Sequence, residues 1–100
     1  RPEATLKGEA TRGKDYYTHL CSACHGGNAL GNPILGAPSL AGASDWYLKS
    51  AYQGFLDGLR GQHVDDVYGA QMARLAPALS DENDLDDVIA HIMTLPPKRS

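Results

Sequence analysis

The sequence predicts an all-α domain with long loops, on three observations. Four stretches of the 100-residue chain place apolar side chains at intervals of three and four, the spacing of one helical face. Alternating patterns typical of strands are nearly absent. A segment over 26–42, with five glycines and two prolines, reads as a loop. So long a loop is unusual in a small domain unless something such as a bound cofactor fills it.

Capping and breaking residues delimit the predicted helices. Ser44 is a favourable N-cap, whereas Gly69 interrupts the third stretch and makes it ambiguous. Pro96 and Pro97 stop the last helix, because proline cannot continue the hydrogen-bond ladder. The four stretches run from about Glu9 to Ala23, from Ser44 to Gly58 or Gly61, from about Val64 to Leu75, and from about Ser80 to the two prolines.

Length and charge narrow the classes of function. A chain of 100 residues has the size of one domain, so we expect a single domain over 1–100, with a core over about 9–95 and flexible ends over 1–8 and 96–100. The net charge of −3 argues against nucleic acid, which requires a basic face. No stretch approaches the roughly 20 apolar residues of a membrane span. Because the chain begins at Arg1, we expect a mature exported protein or a soluble piece of a larger one.

The residues Cys21-Ser22-Ala23-Cys24-His25 form the Cys-x-x-Cys-His pattern of covalent haem attachment. Two thiols three positions apart on a helical turn face the same way, and each can add to one vinyl group of the porphyrin. His25 would then lie beneath the iron as the proximal ligand. The pattern therefore predicts one haem c, attached through Cys21 and Cys24.

Other uses of Cys-x-x-Cys fit this chain less well. A thioredoxin-like pair requires a βαβ surround, which is missing. A zinc site requires four ligands, and His63 and His91 are too isolated to complete one. A disulfide across two residues would stabilise little. Because haem attachment of this kind takes place outside the bacterial cytoplasm, we expect a periplasmic protein.

The residues alone leave the second axial ligand open. The candidates are Met72, Met93, His63, His91 and His19. His19 lies on the attachment helix and cannot reach the opposite face of the haem, and Met93 lies beside an apolar stripe, where methionine usually fills core space. Met72 stands 47 positions after His25 on a return segment and is the leading candidate, although it too can be a core residue. His63 is second, and an iron open on this face would suggest peroxidase or sensing chemistry.

Further motifs accompany the attachment pattern. A glycine and an aromatic residue precede the first cysteine by eight and four positions, and a proline loop, a glycine-arginine stretch, a methionine segment and a closing helical element follow. These are Gly13 and Tyr17, Ala37-Pro38-Ser39-Leu40, Gly58-Leu59-Arg60-Gly61, Gly69-Ala70-Gln71-Met72 and His91-Ile92-Met93-Thr94-Leu95. In this arrangement the chain resembles bacterial class I cytochromes c from about Gly13 to Leu95. It resembles in particular the small periplasmic monohaem type and one unit of the dihaem type.

The resemblance implies a class I cytochrome c fold, with three to five helices and long loops wrapped around one covalent haem. It also implies that Met72 ligates the iron opposite His25. A backbone carbonyl near Pro38 would accept the free N–H of the proximal histidine. The family usually has an aromatic residue where this chain has His91, which either packs there as a ring or is partly solvated and titrates near neutral pH.

Three groups of residues are expected around the haem or at the surface. Arg60 and Tyr47 are the leading partners of the haem propionates, since a guanidinium matches a carboxylate. Five acids at the start of the last helix are expected to face water, where they complement the helix dipole. They are Asp81, Glu82, Asp84, Asp86 and Asp87. An exposed haem edge is expected to be ringed by Ala23, Ala29, Leu30, Ile34 and Leu35.

Together these features predict an electron-transfer protein and not an enzyme. Histidine–methionine ligation keeps the iron six-coordinate in both oxidation states, so little rearranges when an electron moves. The expected partners are redox proteins such as an oxidase, a reductase or a dehydrogenase. The alternatives are a haem domain of a larger oxidase or dehydrogenase subunit and an open-haem peroxidase or sensor.

Overall fold

The computed structural model describes residues 6–32, 39–58, 67–79 and 81–97, except for the side chains of residues 23, 24, 67 and 68. Most residues in these ranges are helical, which confirms the predicted all-α class. The elements are α1 (Ala10–Leu20), α2 (Ser22–His25), α3 (Asp45–Leu56), α4 (Val67–Leu75), a 3-10 turn (Ala76–Leu79) and α5 (Glu82–Met93). None of the helices described has the length and apolar character needed to cross a bilayer.

The core forms where α1 crosses α5. The two backbones meet at Gly13, since a Cβ atom placed there would lie 1.7 Å from the carbonyl oxygen of Asp87. Only a residue without a side chain permits this approach. One turn later, the ring of Tyr17 is buried in the same interface. The apolar stripe of α5 supplies the other side of the core through Leu85, Val88, Ile89 and Ile92.

One helix boundary differs from the prediction. The first predicted helix is divided at Cys21, after which α2 runs to His25 and ends at Gly26, where the backbone has φ +87°. The N-cap of α5 is Asp81, which agrees with the predicted start near Ser80. The Asp81 carboxylate accepts the main-chain N–H of Asn83 at 2.8 Å, satisfying one of the unpaired donors of the first turn.

Two buried carboxylates attach residues 6–9 to the helices. Asp45, at the start of α3, accepts the main-chain N–H of Leu6 at 2.7 Å. Asp87 of α5 accepts the main-chain N–H of Glu9 at 2.7 Å and the Nε–H of Arg12 at 3.0 Å. Charge-assisted bonds of this kind offset the cost of burying a carboxylate. The segment before α1, including part of the predicted flexible end, therefore packs against the core.

The expectation that all five acids of α5 face water is wrong for Asp87, which is 4 % exposed, because the chain before α1 covers it. Asp86 is half-buried and pairs with Lys49 of α3 at 3.0 Å. Lys49 also pairs with Glu82 at 2.5 Å. Its hydrogen bonds to Glu82 and then Asp86 raise the pKa of Lys49. These ion pairs join α3 to α5.

His91 packs as a ring between α1 and α5. It is buried, and its ring centroid lies 5.4 Å from that of Tyr17 with the planes tilted by 53°. Burial lowers the pKa of His91, and the positive charge of Lys14 lowers it further. Of the two alternatives that the sequence left open, the structure has the packed ring.

We predict that Gly13→Ala destabilises the protein even though alanine is the better helix former by about 1 kcal/mol. The added Cβ would meet main-chain atoms of Asp87 and Val88, so α1 and α5 must separate. Overpacking of this kind costs about 3 kcal/mol, so the net loss should be about 2 kcal/mol in urea unfolding. Gly27→Ala is the control, because a Cβ there meets no described atom within 4 Å. Equal stability of the two variants would contradict the close approach.

A second prediction concerns pH. Since the pKa of His91 is lowered on folding, the unfolded chain binds its proton more readily. The stability due to neutral His91 is complete above the unfolded pKa of about 6.5 and is lost as pH falls through the folded value. The unfolding free energy of His91→Phe minus that of the wild type should therefore grow below about pH 6.5, by at most about 1.4 kcal/mol per pH unit. Parallel pH profiles from urea unfolding would disprove it.

Candidate functional site

The turn of α2 brings two predicted site residues to one face. His25 donates its main-chain N–H to the carbonyl of Cys21 at 3.0 Å. Residues four apart on a helix lie one above the other, so the two side chains share a side of the turn. Cys21 is half-buried and His25 is 9 % exposed. The side chain of Cys24 lies outside the described part of the structure.

The described side chains around α2 have the chemistry of a haem-attachment site. Tyr17 and Tyr52 approach this region from α1 and α3. Burial, and secondly the nearby thiol of Cys21, raise the pKa of each tyrosine to about 12. Among the described residues, no three or more His, Cys, Asp or Glu side chains cluster as a metal site. A thiol and an imidazole flanked by phenol rings therefore fit a covalently held haem.

The main chain after His25 folds into a tight turn. The His25 carbonyl accepts the N–H of Gly31 at 2.8 Å. The Gly26 carbonyl accepts the N–H of Ala29 at 3.1 Å and the phenol O–H of Tyr17 at 2.5 Å. The backbone on the C-terminal side of the predicted proximal ligand is thus held by α1 and by its own turn.

Ala29 joins this turn to the segment over 39–41. Its carbonyl accepts the main-chain N–H of Leu40 at 2.8 Å and of Ala41 at 3.0 Å, and the hydroxyl of Ser39 at 3.3 Å. Ala29 is 0 % exposed, so its expected place on an exposed haem edge is wrong. Residues 39–41, which donate to its carbonyl, pack over Ala29. Leu30, the next residue, is exposed.

The other residues expected at the exposed haem edge lie outside the part of the chain that the structure describes. They are the side chain of Ala23, Ile34 and Leu35. Pro38 and Arg60, expected near the histidine and the propionates, also lie outside the described residues, as does His63. Their assignments stay predictions.

The structure separates the candidates for the second axial ligand. Met72 lies half-buried on α4, whereas Met93 packs against the apolar core from α5. His19 is exposed, and its Nδ1 lies 2.7 Å from the carbonyl oxygen of Asp15 on its own helix. His91 is occupied in the α1–α5 interface. The assignment of Met72 as the second axial ligand stays a prediction.

Tyr47 lies on the first turn of α3 and is 52 % exposed. Its ring packs edge-on against Trp46, with 6.3 Å between centroids. The aromatic pair forms part of the surface of the described structure. A contact between Tyr47 and a propionate stays a prediction.

The hydrogen bond of Tyr52 to the backbone after α4 was not predicted from the sequence. Periodicity places this residue on the apolar face of α3, but its hydroxyl donates to the carbonyl of Ala76 at 2.8 Å. Ala76 is fully buried at the start of the 3-10 turn, directly after α4. A tyrosine on a core-facing stripe was the available signal, since a buried phenol O–H usually has a partner.

Known proteins similar to this chain include cytochromes. A sequence model of the Cytochrome c family matches residues 10–96. Cytochrome c-554(547) of Halothiobacillus neapolitanus is 35% identical over 92 residues, which cover 88% of this chain and 98% of that protein.

Two further relatives are each named thiosulfate dehydrogenase electron acceptor. The protein from Stutzerimonas stutzeri (strain A1501) is 30% identical over 100 residues, which cover 92% of this chain and 43% of that protein. The protein from Thiomonas intermedia (strain K12) is 46% identical over 44 residues, covering 44% of this chain and 20% of that protein. This chain therefore matches less than half the length of each acceptor.

These matches confirm three predictions: the class I cytochrome c resemblance, the covalently bound haem c and the electron-transfer function. They agree with the shared face of Cys21 and His25 on α2 and with the helical architecture around it. With the family match over 10–96 and a relative aligned along nearly its whole length, the chain belongs to the cytochrome c family.

Proposed function

We propose that this chain is an electron carrier with one haem attached through Cys21 and Cys24 and ligated by His25 and Met72, and that it is not itself an enzyme. The observation that carries the proposal is the buried imidazole of His25, one helical turn from Cys21 on the same face of α2. When bound, haem supplies the one-electron chemistry. The proposed unit is a single domain over residues 1–100.

The chain's own residues would limit movement during electron exchange. Burial of His25 keeps water from the imidazole, and the Gly31 and Tyr17 hydrogen bonds hold the backbone around it. Met72 on α4 would supply a soft thioether, which favours the reduced iron and raises the potential. A protein that keeps both axial positions closed transfers electrons and leaves no position for a substrate.

We infer that the electron donor is a thiosulfate dehydrogenase and that exchange takes place in the periplasm. The support for the donor is the name of two relatives, thiosulfate dehydrogenase electron acceptor. The support for the location is the attachment pattern, because such attachment occurs outside the bacterial cytoplasm. The greater length of those relatives supports a second candidate, in which this domain works within a larger redox protein.

The ligand assignment is tested by Met72→Ala beside Met93→Ala, since the chain has two methionines. Met72→Ala should abolish the sulfur-to-iron charge-transfer band of the ferric protein and allow carbon monoxide to bind the ferrous protein. The reduction potential should fall by on the order of 0.1 V, within the roughly 0.8 V that axial ligands span. Met93→Ala should keep the band and the potential. A band that survives in Met72→Ala but not in Met93→Ala would overturn the assignment.

The donor is tested by mixing the oxidised, haem-loaded protein with thiosulfate and a purified thiosulfate dehydrogenase. Haem reduction, followed by absorbance, should require both components and saturate with thiosulfate. Thiosulfate alone is the blank, and a cytochrome c from outside this group of relatives is the comparison. Reduction of the comparison cytochrome but not of this protein would contradict the proposed donor.

A further inference from the structure

We propose that Tyr17 and Tyr52 are positioning residues, each of which fixes the chain segment that carries one axial ligand of the haem iron. The inference rests on the ligation by His25 and Met72 proposed above. Each phenol hydroxyl donates a hydrogen bond to a main-chain carbonyl in one ligand segment, and the two hydroxyls come from different helices. Neither tyrosine is proposed to touch the iron.

Tyr17 acts on the histidine side. Its hydroxyl donates to the carbonyl of Gly26, which directly follows His25. Gly26 has φ +87° and ends α2, so the chain changes direction at this bond. The same carbonyl accepts the N–H of Ala29 at 3.1 Å, which makes the phenol one of two donors that define the turn. Through this bond, α1 restrains the backbone next to the His25 imidazole.

Tyr52 acts on the methionine side. Its hydroxyl donates to the carbonyl of Ala76, four positions after Met72 and one position beyond the last residue of α4. Ala76 is fully buried and begins the 3-10 turn, so the bond from Tyr52 joins α3 to the backbone directly after α4.

Both phenols are reliable donors. Burial raises the pKa of each tyrosine, so the hydroxyls stay protonated at neutral pH. Each bond joins residues on separate elements, with 9 positions between Tyr17 and Gly26 and 24 between Tyr52 and Ala76. Removing either hydroxyl therefore loosens one ligand segment while the ring continues to fill its place in the core.

The methionine side is tested with haem-loaded Tyr52→Phe and added imidazole, which competes with the thioether for ferric iron. Imidazole binds only after the methionine segment moves away. The loss of one buried hydrogen bond should therefore raise the apparent imidazole affinity by about tenfold. Disappearance of the sulfur-to-iron band measures the exchange. Tyr17→Phe should change this affinity less than Tyr52→Phe.

The histidine side is tested with haem-loaded Tyr17→Phe. Amide hydrogen exchange at Ala29 and Gly31 should become about tenfold faster than in the wild type, because the turn after His25 opens more readily. The ferric electron paramagnetic resonance signal, which responds to the orientation of the axial imidazole, should shift or broaden. Equal acceleration of exchange throughout α5 with an unchanged resonance would show general destabilisation and overturn the positioning role.

Tyr16→Phe is the matched control, since Tyr16 is the neighbour of Tyr17 on α1 and is half-buried. It should change neither the imidazole affinity nor the resonance signal. Met72→Ala tests the proposed ligation separately from the role of Tyr52. If that variant keeps the sulfur-to-iron band, the proposed ligation fails. If it loses the band but Tyr52→Phe binds imidazole like the wild type, only the role of Tyr52 is overturned.

Discussion

The backbone contact between Gly13 of α1 and Asp87 of α5 is the constraint on which the remaining structure depends. Because no side chain separates the helices at this point, their relative position has little freedom. Tyr17, one turn along α1, is then buried beside His91, with its hydroxyl at the carbonyl that follows His25. A close approach of two helices thus determines where the main chain around the predicted haem ligand lies.

Electrostatics reinforces this packing at the N-terminal end of α1. Asp45 and Asp87 are buried carboxylates that accept main-chain N–H groups from the segment preceding the helix. Main-chain donors are suited to this role because their positions are set by the backbone, whereas a flexible side chain must lose conformational freedom to pair. Arg12, which remains largely exposed, adds a weaker contribution to the same carboxylate.

The sequence predicted the haem and the family because the attachment chemistry resides in five consecutive residues, Cys21 to His25. Helical periodicity similarly predicted the elements that form the core. Features that depend on partners far away in the sequence could not be predicted from local patterns. The burial of Asp87 depends on the N–H of Glu9, which is 78 positions away, and helix-start acids are ordinarily solvated.

Local patterns were also insufficient at two backbone positions. Cys21 divides the predicted first helix, although its neighbours have ordinary helical periodicity. Ala29 is buried despite its place in a glycine-rich loop, because three donors from residues 39–41 converge on its carbonyl. Met72 remains an assignment from the family pattern, since no motif contiguous with the haem attachment residues includes it.

The convergence on Ala29 has a consequence for the order in which the protein acquires its structure. Ala29 has φ +58°, a conformation that costs a non-glycine residue free energy by itself. The turn after His25 provides the acceptor, the Ala29 carbonyl, and the segment over 39–41 provides the donors. Each segment would lack these hydrogen bonds if it formed alone. We therefore expect the turn after His25 and residues 39–41 to order together, as one cooperative unit.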